Sequence, residues 1–129
     1  MKIGISSTGK DLNAQVDPRF GRCQYFLIVD TDTMNFESIS NESAMASGGA
    51  GIQAAQTVAK AEIKAVITGN IGPNAFQTLS AAAVKVFTGA SGTIKEAVEK
   101  YKKGELKETE AASVSSHSGM RGVGRGENL

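Results

Sequence analysis

The sequence predicts an α/β domain, a single mixed five-stranded sheet with helices on both faces, in the order β-β-β-α-β-α-β-α. Three observations carry that reading. Tyr25-Phe26-Leu27-Ile28-Val29 is a continuous apolar run, which suits a strand covered on both faces. Further on, Ile52, Ala55, Ala59 and Ile63 recur at helical spacing. From there, short β-like runs alternate with helical ones, the pattern of parallel strands joined by crossovers.

The elements follow in order. Residues 2–6 alternate, with Ile3 and Ile5 on one face and Gly4 on the other, where its lack of a side chain admits a close neighbour. Residues 7–24 hold Gly, Asp, Asn and Pro without periodicity and read as a long loop, of the kind that is functional or mobile. The apolar strand then runs to Asp30, and a turn through Thr31-Asp32-Thr33-Met34-Asn35 leads to a more polar strand, Phe36 to Asn41. A helix is expected from about Ala50 to Ala61, then a buried strand at Ala65-Val66-Ile67-Thr68-Gly69. Pro73 opens a second helix, at the position where its missing N–H costs nothing, and Phe76, Leu79 and Ala83 form its apolar face. Val84 to Phe87 reads as the last strand. Thr93-Ile94-Lys95-Glu96 is a capping box for a third helix, with Ile94, Ala97, Val98 and Tyr101 on one face and Lys102, Lys103 and Gly104 at its end.

Composition bounds the rest. At 129 residues the chain is one domain, with a core large enough to need no staple. The domain is expected at 1–106, followed at 107–129 by a flexible tail rich in Gly, Ser and Arg. A net charge of +1 gives no global pull on nucleic acid or membrane, so neither is expected as a partner. One cysteine and no apolar leader or span point to a cytoplasmic protein, a monomer or weak homodimer.

Strand direction implies a site. With right-handed crossovers, strands one, three, four and five point the same way. Ser6–Lys10, Asp17–Cys23, Ser47–Gly51, Gly69–Asn74 and Thr88–Thr93 then share one sheet edge, where open α/β sheets bind ligands. The chemistry there favours anions: Arg19 and Arg22 as planar cations, and helix starts at Ala50, Pro73 and Ile94 offering amides. Gly48, Gly49 and Gly51 either admit a ligand to the backbone or simply make turns. Phe20, between the arginines, acts as an aromatic anchor, and Gly21, Gly72 and Asn74 complete the candidate set. Cys23 is either a small core residue or a metal ligand whose thiol the arginines activate. The only histidine, His117, lies in the tail, so no Cys–His catalytic pair is proposed and no enzyme is expected.

Several spaced motifs carry a resemblance: Met1-Lys2-Ile3-Gly4-Ile5, Arg19-Phe20-Gly21-Arg22 before the apolar strand, Gly48-Gly49-Ala50-Gly51-Ile52 and Ile71-Gly72-Pro73-Asn74-Ala75. Over about residues 1–103 the chain resembles the NifX-like family of dinitrogenase iron–molybdenum cofactor biosynthesis proteins. The resemblance implies a ribonuclease H-like fold. It does not imply nuclease chemistry, since the first strand carries no Asp or Glu to clamp metal ions. It implies an anionic iron–sulfur or molybdenum-containing cluster, or its precursor, as ligand, and a cluster-assembly or acceptor protein as partner. Some members have a His shortly before the glycine loop, and this chain has none there. Two readings remain beside cluster carriage: a small-anion or nucleotide-phosphate sensor without catalysis at the same edge, and an interaction module using the third strand and tail.

Overall fold

The computed structural model describes residues 1–45, 48–110 and 112. The strands are β1 (Lys2–Ser7), β2 (Tyr25–Asp30), β3 (Phe36–Ser40), β4 (Ala65–Ile67) and β5 (Lys85–Phe87). The helices are α1 (Ala50–Ala59), α2 (Pro73–Ala81) and α3 (Ile94–Lys102), and a 3-10 turn at Glu42–Met45 precedes α1. The sheet order is β3-β2-β1-β4-β5. β1 and β2 pair antiparallel, as do β2 and β3, whereas β4 joins β1 and β5 joins β4 in parallel. The expected mixed five-stranded architecture is therefore observed. The middle strand is β1, and the apolar β2 lies between it and β3.

Alternation on the strands divides the core in two. Phe26, Ile28, Val66 and Val86 face α1 and α2, packing with Ala54, Val58, Ala75 and Leu79. Ile3, Ile5, Leu27, Val29 and Ile67 face the other way, onto Ile94, Ala97 and Val98 of α3. Burial on both faces explains why β2 is apolar throughout. Gly4 works as expected: a Cβ there would lie 3.1 Å from Ile63 Cδ1.

The long loop between β1 and β2 is more structured than its composition implies. Val16 is buried against the α3 face, and Phe20 against the opposite one, its ring 5.1 Å from that of Phe26. Backbone bonds fix it at several points: Asp17 N–H donates to Ser6 O (2.9 Å), Val16 N–H to Gly92 O (2.9 Å) and Thr8 N–H to Gln15 O (3.0 Å). An unpatterned run can be well held when its few apolar residues point in opposite directions.

Most of the expected flexible tail, 113–129 with residue 111, lies outside the described residues. The part that is described continues the sheet beyond Leu106. Glu108 bridges to Phe87, Thr109 N–H donates to Val86 O (2.7 Å), and the Thr88 and Thr109 hydroxyls are hydrogen-bonded.

The capping box at α3 is complete. Glu96 N–H donates to Thr93 Oγ1 (3.1 Å), and Thr93 N–H donates to Glu96 Oε1 (2.9 Å). The bonds from Thr93 hold the Glu96 carboxyl below its ordinary value. A lowered carboxylate contributes stability above its unfolded value, which is lost as pH falls through the folded one. Thr93→Ala, which removes the cap, should lower stability by about 1 kcal/mol in chemical denaturation. The stability gap between the parent and Glu96→Ala should narrow as pH falls below the ordinary glutamate range. Gly69 makes a second test. A Cβ there would lie 2.6 Å from Pro18 Cα, backbone against backbone, so Gly69→Ala should cost about 1–3 kcal/mol, read as a lower denaturation midpoint.

Candidate functional site

A cleft of about 430 Å³ opens at the edge where β1 and β4 end. One wall is the loop Pro18–Gly21, another the first turn of α1, and the third the β4–α2 connection with the start of α2. Arg19, Phe20 and Gly21 line it together with Gly49 and Gly51. Gly72 and Asn74 complete the part of the expected set that converges here.

The loop is stitched to the β4–α2 connection. Asn70 N–H donates to Pro18 O (2.8 Å) and Phe20 N–H to Asn70 O (3.3 Å), so Arg19 and Asn70 pair like neighbours in a sheet. Beneath this strap the Ser6 hydroxyl lies 2.7 Å from Asp17 O and 2.8 Å from Thr68 Oγ1, all three residues being buried. The polar ends of β1 and β4 thus hold the loop down.

Asp17 decides how Arg19 stands. Its carboxylate is buried and accepts from Arg19 N–H (2.9 Å), Nε (3.3 Å) and Nη2 (3.4 Å). The hydrogen bond and charge of Asp17 raise the Arg19 guanidinium above its ordinary value. The Arg19 side chain nonetheless stays 66% exposed, so one edge of the fork is fixed while the remainder faces solvent at the cleft rim.

Two helix starts supply further donors. Helix geometry leaves the N–H groups of Ala50, Gly51 and Ile52 in α1 without an acceptor in their own helix, and likewise Asn74 and Ala75 in α2. The caps are Gly49, at φ +73°, and Gly72, both lacking a side chain that would occupy those donors. The expectation of three free helix starts is corrected by the structure. At α3, Ile94 N–H donates to Ala14 O (2.9 Å), Lys95 N–H to Leu12 O (3.0 Å) and Glu96 N–H to Thr93, so the long loop takes up that terminus.

The glycines divide by role. A Cβ on Gly21 would meet Gly51 Cα and N at 3.1 Å, and one on Gly51 would meet Ala75 Cβ at 3.3 Å. Both let the loop, α1 and α2 approach one another closely. A Cβ on Gly48 would meet nothing within 4 Å, and that residue does not line the cleft. Ser47 lies outside the described residues.

Arg22 and Cys23 stand away from the cleft. Arg22 Nη1 donates to Ala44 O (2.9 Å), on a separate depression bordered by Tyr25, Ser40 and Met45. Cys23 is fully buried in the core, its thiol donating to Phe20 O (3.3 Å). Burial pushes the thiol up to about 12, opposite to the activation expected from nearby arginines. Among the described residues, no three His, Cys, Asp or Glu side chains are grouped so that they could hold a metal ion. A ligand of this cleft would be held through N–H donors and a guanidinium. No described helix is long and apolar enough to cross a membrane.

Sequence reasoning missed Asn70 and Asn41. Asn70 bonds through its backbone, which no residue type announces. Asn41, at the end of β3, is buried and donates its side-chain amide to Gly21 O (3.1 Å) and Cys23 O (2.8 Å). Its signal was an amide directly after a strand and before a turn rich in small polar residues.

Known proteins resemble the chain in sequence and fold. The chain is similar to the apo form of the orange protein from Desulfovibrio gigas: 38% identity, TM-score 0.85, covering 87% of this chain and 95% of that one. It is 40% identical to a Thermotoga protein provisionally named NifB, with a TM-score of 0.73 over 83% of this chain and 91% of the other. An uncharacterised protein of Methanocaldococcus jannaschii is 30% identical over 101 residues, 76% of this chain and 86% of that one. With its residues 1–104 matching the family pattern, the chain belongs to the dinitrogenase iron-molybdenum cofactor family.

Proposed function

We propose that this protein binds and carries an anionic, sulfide-rich iron–sulfur or molybdenum-containing cluster, or a precursor of one, without catalysis. The observation that carries the reading is the convergence of two helix N-termini and Arg19 on one cleft of about 430 Å³. Family membership supports it, and so does likeness to a relative called the orange protein whose structure is of an apo form. The cluster is cargo. Amides of the first turns of α1 and α2 donate to its sulfide or oxide atoms, where the positive ends of both helices favour negative charge. Arg19 adds charge-assisted hydrogen bonds from the part of its fork that Asp17 leaves to solvent. Phe20, Ile52, Ile71 and Pro73 give the cleft apolar walls, which suit the soft faces of sulfide better than a fully hydrated oxyanion. Holding cargo through outer atoms leaves the metal's own bonds untouched, so release to an acceptor protein needs no ligand exchange.

Anaerobic titration with tetrathiomolybdate, followed by its visible spectrum, tests the reading, with inorganic phosphate as competitor. Saturable binding that phosphate displaces only weakly is expected. Binding of phosphate alone would replace the carrier by a small-anion sensor at the same cleft, and binding of neither would overturn both.

Arg19→Ala should weaken thiomolybdate binding by roughly tenfold, near the lower end for a charge-assisted bond because the side chain is exposed and screened. Arg22→Ala should have a smaller effect, since its guanidinium is bonded outside the cleft. Cys23→Ala should leave affinity intact, as its thiol is buried and pushed up to about 12. Abolished binding in Cys23→Ala with unaltered binding in Arg19→Ala would replace the amide cradle by thiolate ligation.

A further inference from the structure

Under the cleft, a buried run of polar bonds joins two of its walls. Asn41 is 5% exposed, and each of its polar groups makes a hydrogen bond. Its side-chain amide donates to Gly21 O (3.1 Å) and Cys23 O (2.8 Å), one N–H for each. Its Oδ1 accepts from the Ser43 hydroxyl (2.6 Å). Its backbone N–H donates to Gln24 O (2.9 Å), and its C=O accepts from Ala44 N–H (3.1 Å). The Ser43 oxygen lies in turn 3.3 Å from Ala50 O, in the first turn of α1. Ser43 is buried as well.

Neither Asn41 nor Ser43 lines the cleft, and Asn41 borders only the depression beside Arg22. Yet Gly21 and Ala50, the residues tied together, are both wall residues, and Gly21 packs within van der Waals contact of Gly51. Gly21 and Gly51 can approach because neither has a side chain, and a contact so bare has little of its own to keep it in register. The Asn41–Ser43 pair supplies the missing directionality. The Asn41 amide fixes the carbonyls of the loop on one side. The single Ser43 proton, shared between Asn41 Oδ1 (2.6 Å) and Ala50 O (3.3 Å), reaches α1 on the other by the longer arm of a bifurcated bond.

We propose that Asn41, with Ser43, is the positioning residue of the cleft, holding the Arg19–Cys23 loop at a set distance from the amides that open α1. This deepens the carrier reading and rests on it for its ligand: the pair presets the spacing between guanidinium and helix amides, and so the size of anion that both can reach. Removing the Asn41 amide takes the donor from one buried carbonyl, Cys23 O, and one half-buried carbonyl, Gly21 O, and the loop must shift toward water to satisfy them. The spacing is then lost although no group touching the anion has changed.

The test combines a ligand-free and a ligand-bound measurement on the full chain. In ligand-free Asn41→Ala, amide hydrogen exchange should quicken together at Gly21–Gln24 and Ala50–Gln53 while α3 stays as protected as in the parent. In Ser43→Ala, which keeps the amide bonds to the loop, the change should be confined to the start of α1. Thiomolybdate affinity should fall by about tenfold in Asn41→Ala, and the double variant with Arg19→Ala should lose no more than the larger single loss. That non-additivity distinguishes positioning from general destabilisation, which would add to the Arg19 effect. Exchange that quickens across all elements alike, or full additivity with Arg19→Ala, would overturn the proposal. If the parent fails to bind thiomolybdate, the carrier reading falls, and the exchange arm still decides whether Asn41 couples the two walls.

Discussion

The fold of the site depends on the contact between Pro18 and Gly69. Two backbone segments meet there closely enough that no side chain at 69 fits, and they are held together by Asn70 N–H to Pro18 O and Phe20 N–H to Asn70 O. Everything that faces the cleft is placed relative to this seam. Arg19 follows Pro18 and is oriented by Asp17 before it, and Phe20 drops into the core beside Phe26. On the other strand of the seam, Ile71, Gly72 and Pro73 lead directly into α2. The long loop is in effect a short additional strand laid against the end of β4. Its backbone is therefore rigid where its composition reads as loose.

The electrostatic arrangement is a compromise. A buried carboxylate opposes by its charge the anion proposed for the cleft, yet Asp17 takes only part of the Arg19 fork. In return it restricts a side chain that would otherwise lose much rotamer freedom on binding. The helix amides need no such restraint, being fixed by the helices themselves. Charge and order are thus supplied by different groups, and the cleft keeps apolar walls between them.

Much of this was legible in the sequence, for identifiable reasons. Alternation in β1, the two-sided apolarity of β2 and the box at Thr93 are local patterns, and local patterns survive into the fold. α1 lies where a helix is expected, but its buried stripe is Ala50, Ala54, Ala55 and Val58, and Ile63 falls beyond its end. Strand direction, a consequence of connectivity, brought the right loops to one edge, so Arg19, Gly21, Gly51 and Asn74 were picked out correctly as neighbours. What was not legible is where a side chain turns once it arrives. Arg19 and Arg22 are equivalent in sequence, but a tight turn closed by the Cys23 thiol leaves Arg19 on the rim between the cleft and the neighbouring depression, and Arg22 on that depression alone. At the start of α3 the capping box, which is local, announces only the bond to Glu96 N–H; the pairing of Ile94 and Lys95 N–H with Ala14 and Leu12 is tertiary and left no pattern. Asn41 shows locally only its bonds to Ser43 and Ala44, as any residue opening a turn would; the bonds that matter for the loop, to Gly21, Cys23 and Gln24, are tertiary.

One further feature concerns the margins of the sheet. On the β5 side the chain doubles back, and Glu108 and Thr109 take up hydrogen-bonding positions along that strand. On the opposite side the outermost strand, β3, offers only five residues, with Glu37 and two serines among them. Exposed strand margins invite copies of a chain to add end upon end, and short length with an embedded charge is a common deterrent. One margin is thus capped by the chain itself and the other made unattractive. For the proposed carrier role both features matter, because self-association would bury the mouth of the cleft in a growing ribbon.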